Sequence, residues 1–583
     1  MQEKSGTVSA ARAAEEKAAC GAAETVGKTS ETLKKTAETV GKTAETVGRT
    51  AETAVKTAET AAKTDSTENG KGSAPAAAER AAGVLLHISS LPGKYGIGTL
   101  GREARRFADF LHAAGVRYWQ VLPLVQTGYG DSPYQSVFSA SGNPYFIDPE
   151  TLAAEGLLKK RELALCERAG GRVDYGFLYD RKFALLRKAF SRFDCTAPAF
   201  RAFEEEGAFH DYALYMALKT AHGGQSFDRW ERKYKFRDPA ALDAFLREHR
   251  GEYSFWLFVQ YEFLRQWQTL KEYVNALGIR IIGDIPLYVA YDSADVWANA
   301  HLFKLNKNLS CRKVAGVPPD YFSATGQLWG NPVYDWKAHA QEGYAWWTAR
   351  IRRAFALYDV VRVDHFRGFD RYYEIPAGNE TAVGGRWRRG PGMALFDAAQ
   401  RALGKLDFIA EDLGTIDDGV RRLIRKSGFP SMKVLEFAFD GDPNNAYLPK
   451  NIGENSVTYT GTHDNDTLVG YLKSLPAWEY GCLLSIVKPL LKEAGIAARP
   501  VGIESTARAI ARLALSVRSR LAVLPMQDVL LQGAEARMNT PSTGGGNWQY
   551  RLPRIPGAAC ARALRAAVEE AGRAAVEEAG RAR

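Results

Sequence analysis

Four acidic residues stand late in four separate apolar runs: Asp284 in RIIGDIPLYV, Asp364 in VVRVDHF, Glu411 in LDFIAEDL and Asp464 in VTYTGTHD. Carboxylates gathered without a metal repel one another, so such a cluster needs a chemical reason. Glycosidic bond cleavage supplies one: it uses a carboxylate and a carboxylic acid on either side of an anomeric carbon that acquires oxocarbenium character. In DVVRVDHFRGF, Arg362 and Asp364 lie two residues apart, so in a strand they share a face while Val361 and Val363 take the other. The simplest role for this pair is a buried ion pair that fixes strand register. Beside the other acids it acquires a second role, because a guanidinium favours the ionised, nucleophilic form of Asp364. Glu411 follows Ile409 and Ala410, an apolar setting that raises a carboxyl pKa toward that of a general acid. Its neighbour Asp412 is expected to point away and make a structural hydrogen bond. Asp464 follows His463, and a carboxylate beside an imidazole can grip vicinal hydroxyls of a sugar.

These residues need elements that bring them together. Eight apolar runs have the length and composition of strands: 83–90, 117–124, 280–289, 360–366, 406–413, 432–439, 457–464 and 521–530. Helical stretches lie between them, the first being GREARRFADFLHAAG, with Phe107, Phe110, Leu111 and Ala114 at helical spacing. Eight alternating strands and helices predict an α/β fold, a (β/α)8 TIM barrel, and the acids fall at the strand ends where such barrels build their sites. The interval from 125 to 279 is too long for one loop, and its aromatic-rich helical segments predict a mainly helical subdomain inserted over about 150–270. The catalytic domain is expected to span 81–556.

Seven motifs now resemble a known family. RVDHF, AEDLG and THDND are similar to the second, third and fourth signature regions of the α-amylase superfamily. GDSPYQSVFSASGNPYFIDP, GDIPLYVAYDSADVWAN, GVPPDYFSATGQLWGNPVYDW and EARMNTPSTGGGNWQYR resemble the specific motifs of the 4-α-glucanotransferases (amylomaltases, disproportionating enzymes; glycoside hydrolase family 77). The resemblance runs from about residue 83 to about 555. It implies transfer of α-1,4-glucan segments between maltooligosaccharides by a retaining double displacement, with Asp364 as nucleophile, Glu411 as acid/base and Asp464 as transition-state stabiliser. It also implies Ser132, Tyr134, Asp284, Gln327, Trp329, Arg362, His463 and Asn539 around the bound glucan. Tyr321 and Phe322, in the same Gly/Pro/Asn-rich segment as Trp329, are expected to cover the site or stack on sugar rings. That segment, 318–332, is expected to be a loop that keeps water out. In α-amylases the first signature region continues from its aspartate to an asparagine that helps hold calcium. Here Asp284 is followed by IPLYVA, so no metal and no cofactor are expected.

Two other readings stay open at the level of sequence. A metal-dependent hydrolase would draw on His87, His365 and His463, but no run contains an HxH or Glu-x-x-His spacing. A non-catalytic glucan-binding protein would keep the aromatics and have no need of the acids. Net charge is +10 over 583 residues, yet the arginines are scattered among acids and aromatics, so nucleic acid is not an expected partner. No segment is long and apolar enough for a membrane span. The six cysteines are dispersed without a CxxC spacing, which fits a reducing, cytoplasmic setting, and a monomer or weak homodimer is expected. Residues 1–80 contain heptads such as AETVGKT and AETVGRT, each with Glu four residues before Lys or Arg. They predict a solvated, partly helical tail, and a similar Ala/Glu/Arg appendage is expected over 557–583.

Overall fold

The computed structural model describes residues 80–128, 130–319 and 323–573. The strands in chain order are β1 (Ala81–Leu85), β2 (Tyr118–Gln120), β3 (Arg280–Ile285), β4 (Lys313–Val317), β5 (Gln327–Pro332), β6 (Val360–Val363), β7 (Arg371–Pro376), β8 (Arg386–Arg389), β9 (Phe408–Ala410), β10 (Ser431–Val434), β11 (Ser456–Tyr459) and β12 (Leu521–Pro525). Eight of them close a barrel in the order β1-β12-β11-β10-β9-β6-β3-β2, with neighbours parallel throughout. Each barrel strand derives from one of the eight apolar runs. Every strand is shorter than its run, because the later residues turn out of the ladder. Beyond β6, His365 takes φ 52, a left-handed conformation that ends the extended backbone, and a 3-10 turn follows at Phe366–Phe369. Beyond β12 the chain enters the helix Met526–Val529 at once.

The helix Arg102–Ala113 buries Phe107, Phe110 and Leu111, as its spacing requires, and Phe107 packs edge-on against Trp119 of β2. Between β2 and β3 the chain is mainly helical, and it ends in the long helix Arg250–Ala276. That helix ties the insertion to the barrel. Gln260 bonds both the N–H and the carbonyl of Gly142, and the Trp267 indole donates to Leu357 O at 3.0 Å.

A second sheet was not foreseen. β5, β4, β7 and β8 form a four-stranded antiparallel sheet inserted on either side of β6 in the chain. Gln327 and Trp329, expected on a loop, stand on β5, where they lie two residues apart on one face. Tyr321 and Phe322 lie outside the described residues.

The carboxyl end also departs from expectation. Ala558–Glu570 is a helix that buries Ala561, Leu564 and Val568, and Arg573 beyond it is wholly buried. The Arg573 guanidinium donates to Leu515 O, Ala81 O and Val517 O, and Arg80 donates to the carbonyls of Leu515, Ser516 and Val517. Both arginines therefore satisfy carbonyls at the end of the helix Ile503–Ser516, where the helix dipole favours a cation. The repeat looked solvated because alanine dominates it, and a small apolar side chain carries little periodic signal. The amino-terminal repeats, up to residue 79, lie outside the described residues, as do 574–583.

Replacing Leu564 by alanine should lower unfolding stability by about 2–4 kcal/mol, the usual cost of emptying a buried leucine site. Denaturant unfolding measures it, and wild-type stability would show that this helix is dispensable.

Candidate active site

Strand register assembles the site. Asp284 of β3 pairs with Arg362 of β6, and Arg362 in turn pairs with Ile409 of β9. The ladder then closes with two last bonds: Asp364 N–H donates to Ile285 O and Glu411 N–H to Val363 O, each at 3.1 Å. Asp364 and Glu411 thus leave adjacent strands at the same level of the carboxyl rim. Gly283 helps hold this register, since a Cβ there would come within 2.1 Å of the Tyr358 ring behind the strand.

Arg362 sits between two acids. Its guanidinium is 2.6 Å from Asp284 Oδ2 and 3.0 Å from Asp364 Oδ1, and its Nε donates to Met432 Sδ. Side-chain exposure separates the acids: 0% for Asp284, 5% for Arg362 and 28% for Asp364. Asp284 is therefore the buried countercharge, with the Tyr134 hydroxyl donating to it at 2.7 Å, and Asp364 faces the opening. Arg362 and Tyr134 both bond Asp284 Oδ2, so the aspartate stands behind the two side chains that approach the opening.

The electrostatics are also less simple than the sequence implied. Burial pushes the Asp364 carboxyl upward, Arg362 opposes that, and Asp284, Glu411 and Asp464 add to it. Burial raises Glu411 as well, against the pull of Arg362 and of two backbone donors. Those donors are His365 N–H to Oε2 and Leu413 N–H to Oε1, both at 2.7 Å, and they fix the plane of the carboxyl group. Both carboxyls thus titrate above their ordinary range. Arg362 draws Asp364 down without bringing it below that range. Asp412 behaves as expected: it accepts from Met432 N–H at 2.8 Å and pairs with Lys433 at 3.2 Å.

Asp464 stands on the loop after β11 with 47% of its side chain exposed. His463 Nε2 is 3.4 Å from it, and the Asn539 amide donates to it at 2.6 Å. The His463 ring is stacked on Tyr134 with centroids 5.2 Å apart, so the hydroxyl that holds Asp284 and the imidazole beside Asp464 belong to one layer. Trp548 closes that layer at 5.8 Å from Tyr134 and 5.9 Å from His463. On the other side, Trp329 meets the His365 ring edge-on at 4.9 Å, and its indole donates to Gln327 Oε1 at 3.1 Å. Ser132 accepts the Tyr134 N–H at 3.2 Å and so shapes the turn that presents this tyrosine.

The structure thus joins Tyr134, Asp284, Arg362, Asp364, His463, Asp464 and Asn539 through direct contacts, with Glu411, Trp329 and Gln327 attached through His365. Trp548 was missed although its motif was noticed. An aromatic in a Gly-rich segment, GGGNW, was the available signal. His365 was considered only as a metal ligand. Its backbone N–H and its ring serve instead, and burial pushes both His365 and His87 down to about 3. Among the described residues, no three His, Cys, Asp or Glu side chains are grouped as ligands for a metal ion. Nor, among them, is any helix long and apolar enough to cross a membrane.

Comparison with known proteins gives the family. Residues 86–556 match the family model of glycoside hydrolase family 77, described as 4-alpha-glucanotransferase. The chain is 47% identical over 505 residues to the 4-alpha-glucanotransferase of Thermus thermophilus, covering 84% of this chain and 99% of that protein. It is 40% identical over 518 residues to a chloroplastic/amyloplastic 4-alpha-glucanotransferase of Solanum tuberosum, covering 84% of this chain and 88% of the relative. Among solved structures, the amylomaltase of Streptococcus agalactiae in complex with acarbose superposes with a TM-score of 0.80 at 37% identity, over 85% of this chain and all of that one. A barrel that sets Asp364 and Glu411 side by side on its rim, and that matches these relatives over most of its length, belongs to the 4-alpha-glucanotransferase family and is an enzyme acting on α-glucans.

Proposed function

We propose that this enzyme moves α-1,4-glucan segments between maltooligosaccharides through a covalent glycosyl-Asp364 intermediate. The observation that carries the proposal is the shared rim level of Asp364, in contact with Arg362, and Glu411, held by two neutral N–H groups. A guanidinium in contact stabilises a carboxylate more than a neutral donor does, so the negative charge belongs on Asp364 and the proton on Glu411. Asp364 attacks the anomeric carbon while Glu411 gives its proton to the departing glycosidic oxygen. Glu411, now a carboxylate, takes the proton of an incoming sugar hydroxyl, which displaces Asp364 and retains the configuration. Asp464 and His463 grip ring hydroxyls during both steps, and Tyr134, Trp329, Gln327, Asn539 and Ser132 shape the glucan path. Arg362 and Asp284 act from beneath the surface.

Transfer prevails over hydrolysis when a sugar occupies the acceptor side and water is kept from the intermediate. The aromatics on the two sides of the site, Trp329 on one and Tyr134 with Trp548 on the other, support this. The dispersed free cysteines, Cys166, Cys195, Cys311, Cys482 and Cys560 among the described residues, support a reducing compartment such as the cytoplasm.

Incubation with maltotriose should give glucose together with a ladder of longer oligosaccharides. Glucose and maltose without elongation would refute transfer. Asp364→Asn should lower the transfer rate by at least about 10³-fold with the fold intact, as removal of a nucleophile does; wild-type turnover would remove Asp364 from the mechanism. The pH profile tests the charge assignment. Activity falls as pH drops and Asp364 takes up a proton, and again as pH rises and Glu411 loses one. Because burial raises both groups, both limbs of kcat/KM should lie above the ordinary carboxyl values of 3.8 and 4.5. Full activity persisting at about pH 4 would contradict it.

A further inference from the structure

Asp464 is the most exposed of the three acids, and the bonds within its own loop leave its carbonyl and carboxylate to be held from elsewhere. Asp528 accepts from Thr460 Oγ1 at 2.5 Å and from Leu468 N–H at 2.7 Å, which clamps the two ends of the segment 460–468. Inside it, Asn465 Oδ1 accepts from Thr462 N–H and Oγ1, both at 2.9 Å. At the tip the loop itself supplies one long bond, Asp464 N–H to Thr462 Oγ1 at 3.3 Å, which leaves the Asp464 carbonyl and carboxylate untied. The tip is held from another element, the segment after the turn Ala534–Ala536. There Arg537 Nη2 donates to Asp464 O at 2.7 Å and its Nε donates to Asn539 O at 2.8 Å. Asn539 completes the connection, its N–H donating to His463 O at 3.1 Å and its side-chain amide to Asp464 Oδ1 at 2.6 Å.

We infer that Arg537 is a positioning residue for Asp464: one guanidinium bridges the carbonyl of the acid and the carbonyl of the asparagine that bonds its carboxylate. This deepens the proposed function and rests on its assignment of Asp464. Arg537 acts through backbone oxygens on both segments and so sets the distance between them at Asp464 itself, whereas the Asn539 side chain orients the carboxylate and its N–H adds a tie one residue earlier, at His463 O. The planar fork matters. Nε and Nη2 reach two different carbonyls in one rigid unit, which a single ammonium on a flexible stem does not reproduce. With the bridge gone, the strand ends still hold Asp364 and Glu411, and ground-state glucan binding persists through the aromatics on the two sides of the site. The loss should therefore appear where Asp464 acts, in the transition state.

The test is a set of four variants, Arg537→Lys, Arg537→Gln, Asp464→Asn and the double variant Asp464→Asn/Arg537→Gln, assayed for transfer from maltotriose alongside thermal unfolding. The expected result is a fall in kcat of about 10–100-fold for Arg537→Gln and a smaller one for Arg537→Lys, in line with the cost of a misplacement on the order of 1 Å. KM should stay within about threefold of wild type, which marks the loss as one of transition-state interaction. In the Asp464→Asn background, Arg537→Gln should cost less than about threefold more, because the group it positions has already gone. Wild-type kcat in both single Arg537 variants, or the same fold-loss with and without Asp464, would overturn the inference. So would unfolding of both Arg537 variants, which would make the arginine a stability element. If the wild-type enzyme gives no ladder, or Asp464→Asn leaves kcat unchanged, the underlying assignment fails instead.

Discussion

One buried cation organises this site. Arg362 lies in the barrel wall with Asp284 on one side and Asp364 on the other, and each contact is short enough to be charge-assisted. A guanidinium at 5% exposure is tolerated only with such partners, and removing one partner of a buried pair costs about 3–5 kcal/mol. Two acids for one cation is an arrangement with a direction. Asp284, at 0% exposure, neutralises the arginine from within, and the second contact reaches outward to an acid that solvent and substrate can meet. The position of Asp364 is therefore set by strand pairing and leaves little to its own rotamer freedom.

The remaining parts of the site are arranged around that fixed point by elements of decreasing rigidity. Glu411 stands on the neighbouring strand end, held by two backbone N–H groups, one of them made available by the left-handed turn at His365. Tyr134 and His463 stack and Trp548 meets both rings at a tilt, a layer drawn from three distant parts of the chain whose Tyr134 hydroxyl holds Asp284. Trp329 enters from the antiparallel sheet and rests on His365. Asp464 lies furthest from a strand and depends most on side chains from elsewhere. This order matches the chemistry: the bond-making acids need the most accurate placement, and the groups that follow a distorting sugar ring tolerate more movement.

The barrel was legible because its strands come from largely apolar runs, four of which carry an acid late in the run, and burial on both faces imposes the apolar composition. The pair Arg362 and Asp364 was legible for a related reason: two charges in an otherwise apolar strand call for partners. Register across strands was not legible. That Asp284 pairs with Arg362 and is hidden behind it depends on which residues face each other in space. The antiparallel sheet was missed because β5 and β8 are half-exposed and rich in polar residues, so the Gly/Pro/Asn content around Trp329 read as a loop. The terminal helix was missed because alanine packs without announcing a face, and Arg573, charged and wholly buried, has the composition of a surface residue.

The central claim is that the charge which Arg362 stabilises sits on Asp364 and attacks the sugar. Mass spectrometry of the enzyme after reaction with a 5-fluoro-glucosyl fluoride, which slows breakdown of the glycosyl-enzyme, tests it most directly. The account predicts one added hexosyl group on the peptide that contains Asp364. An adduct on the peptide carrying Glu411 or Asp464, or turnover of the reagent with no covalent species formed, would contradict it.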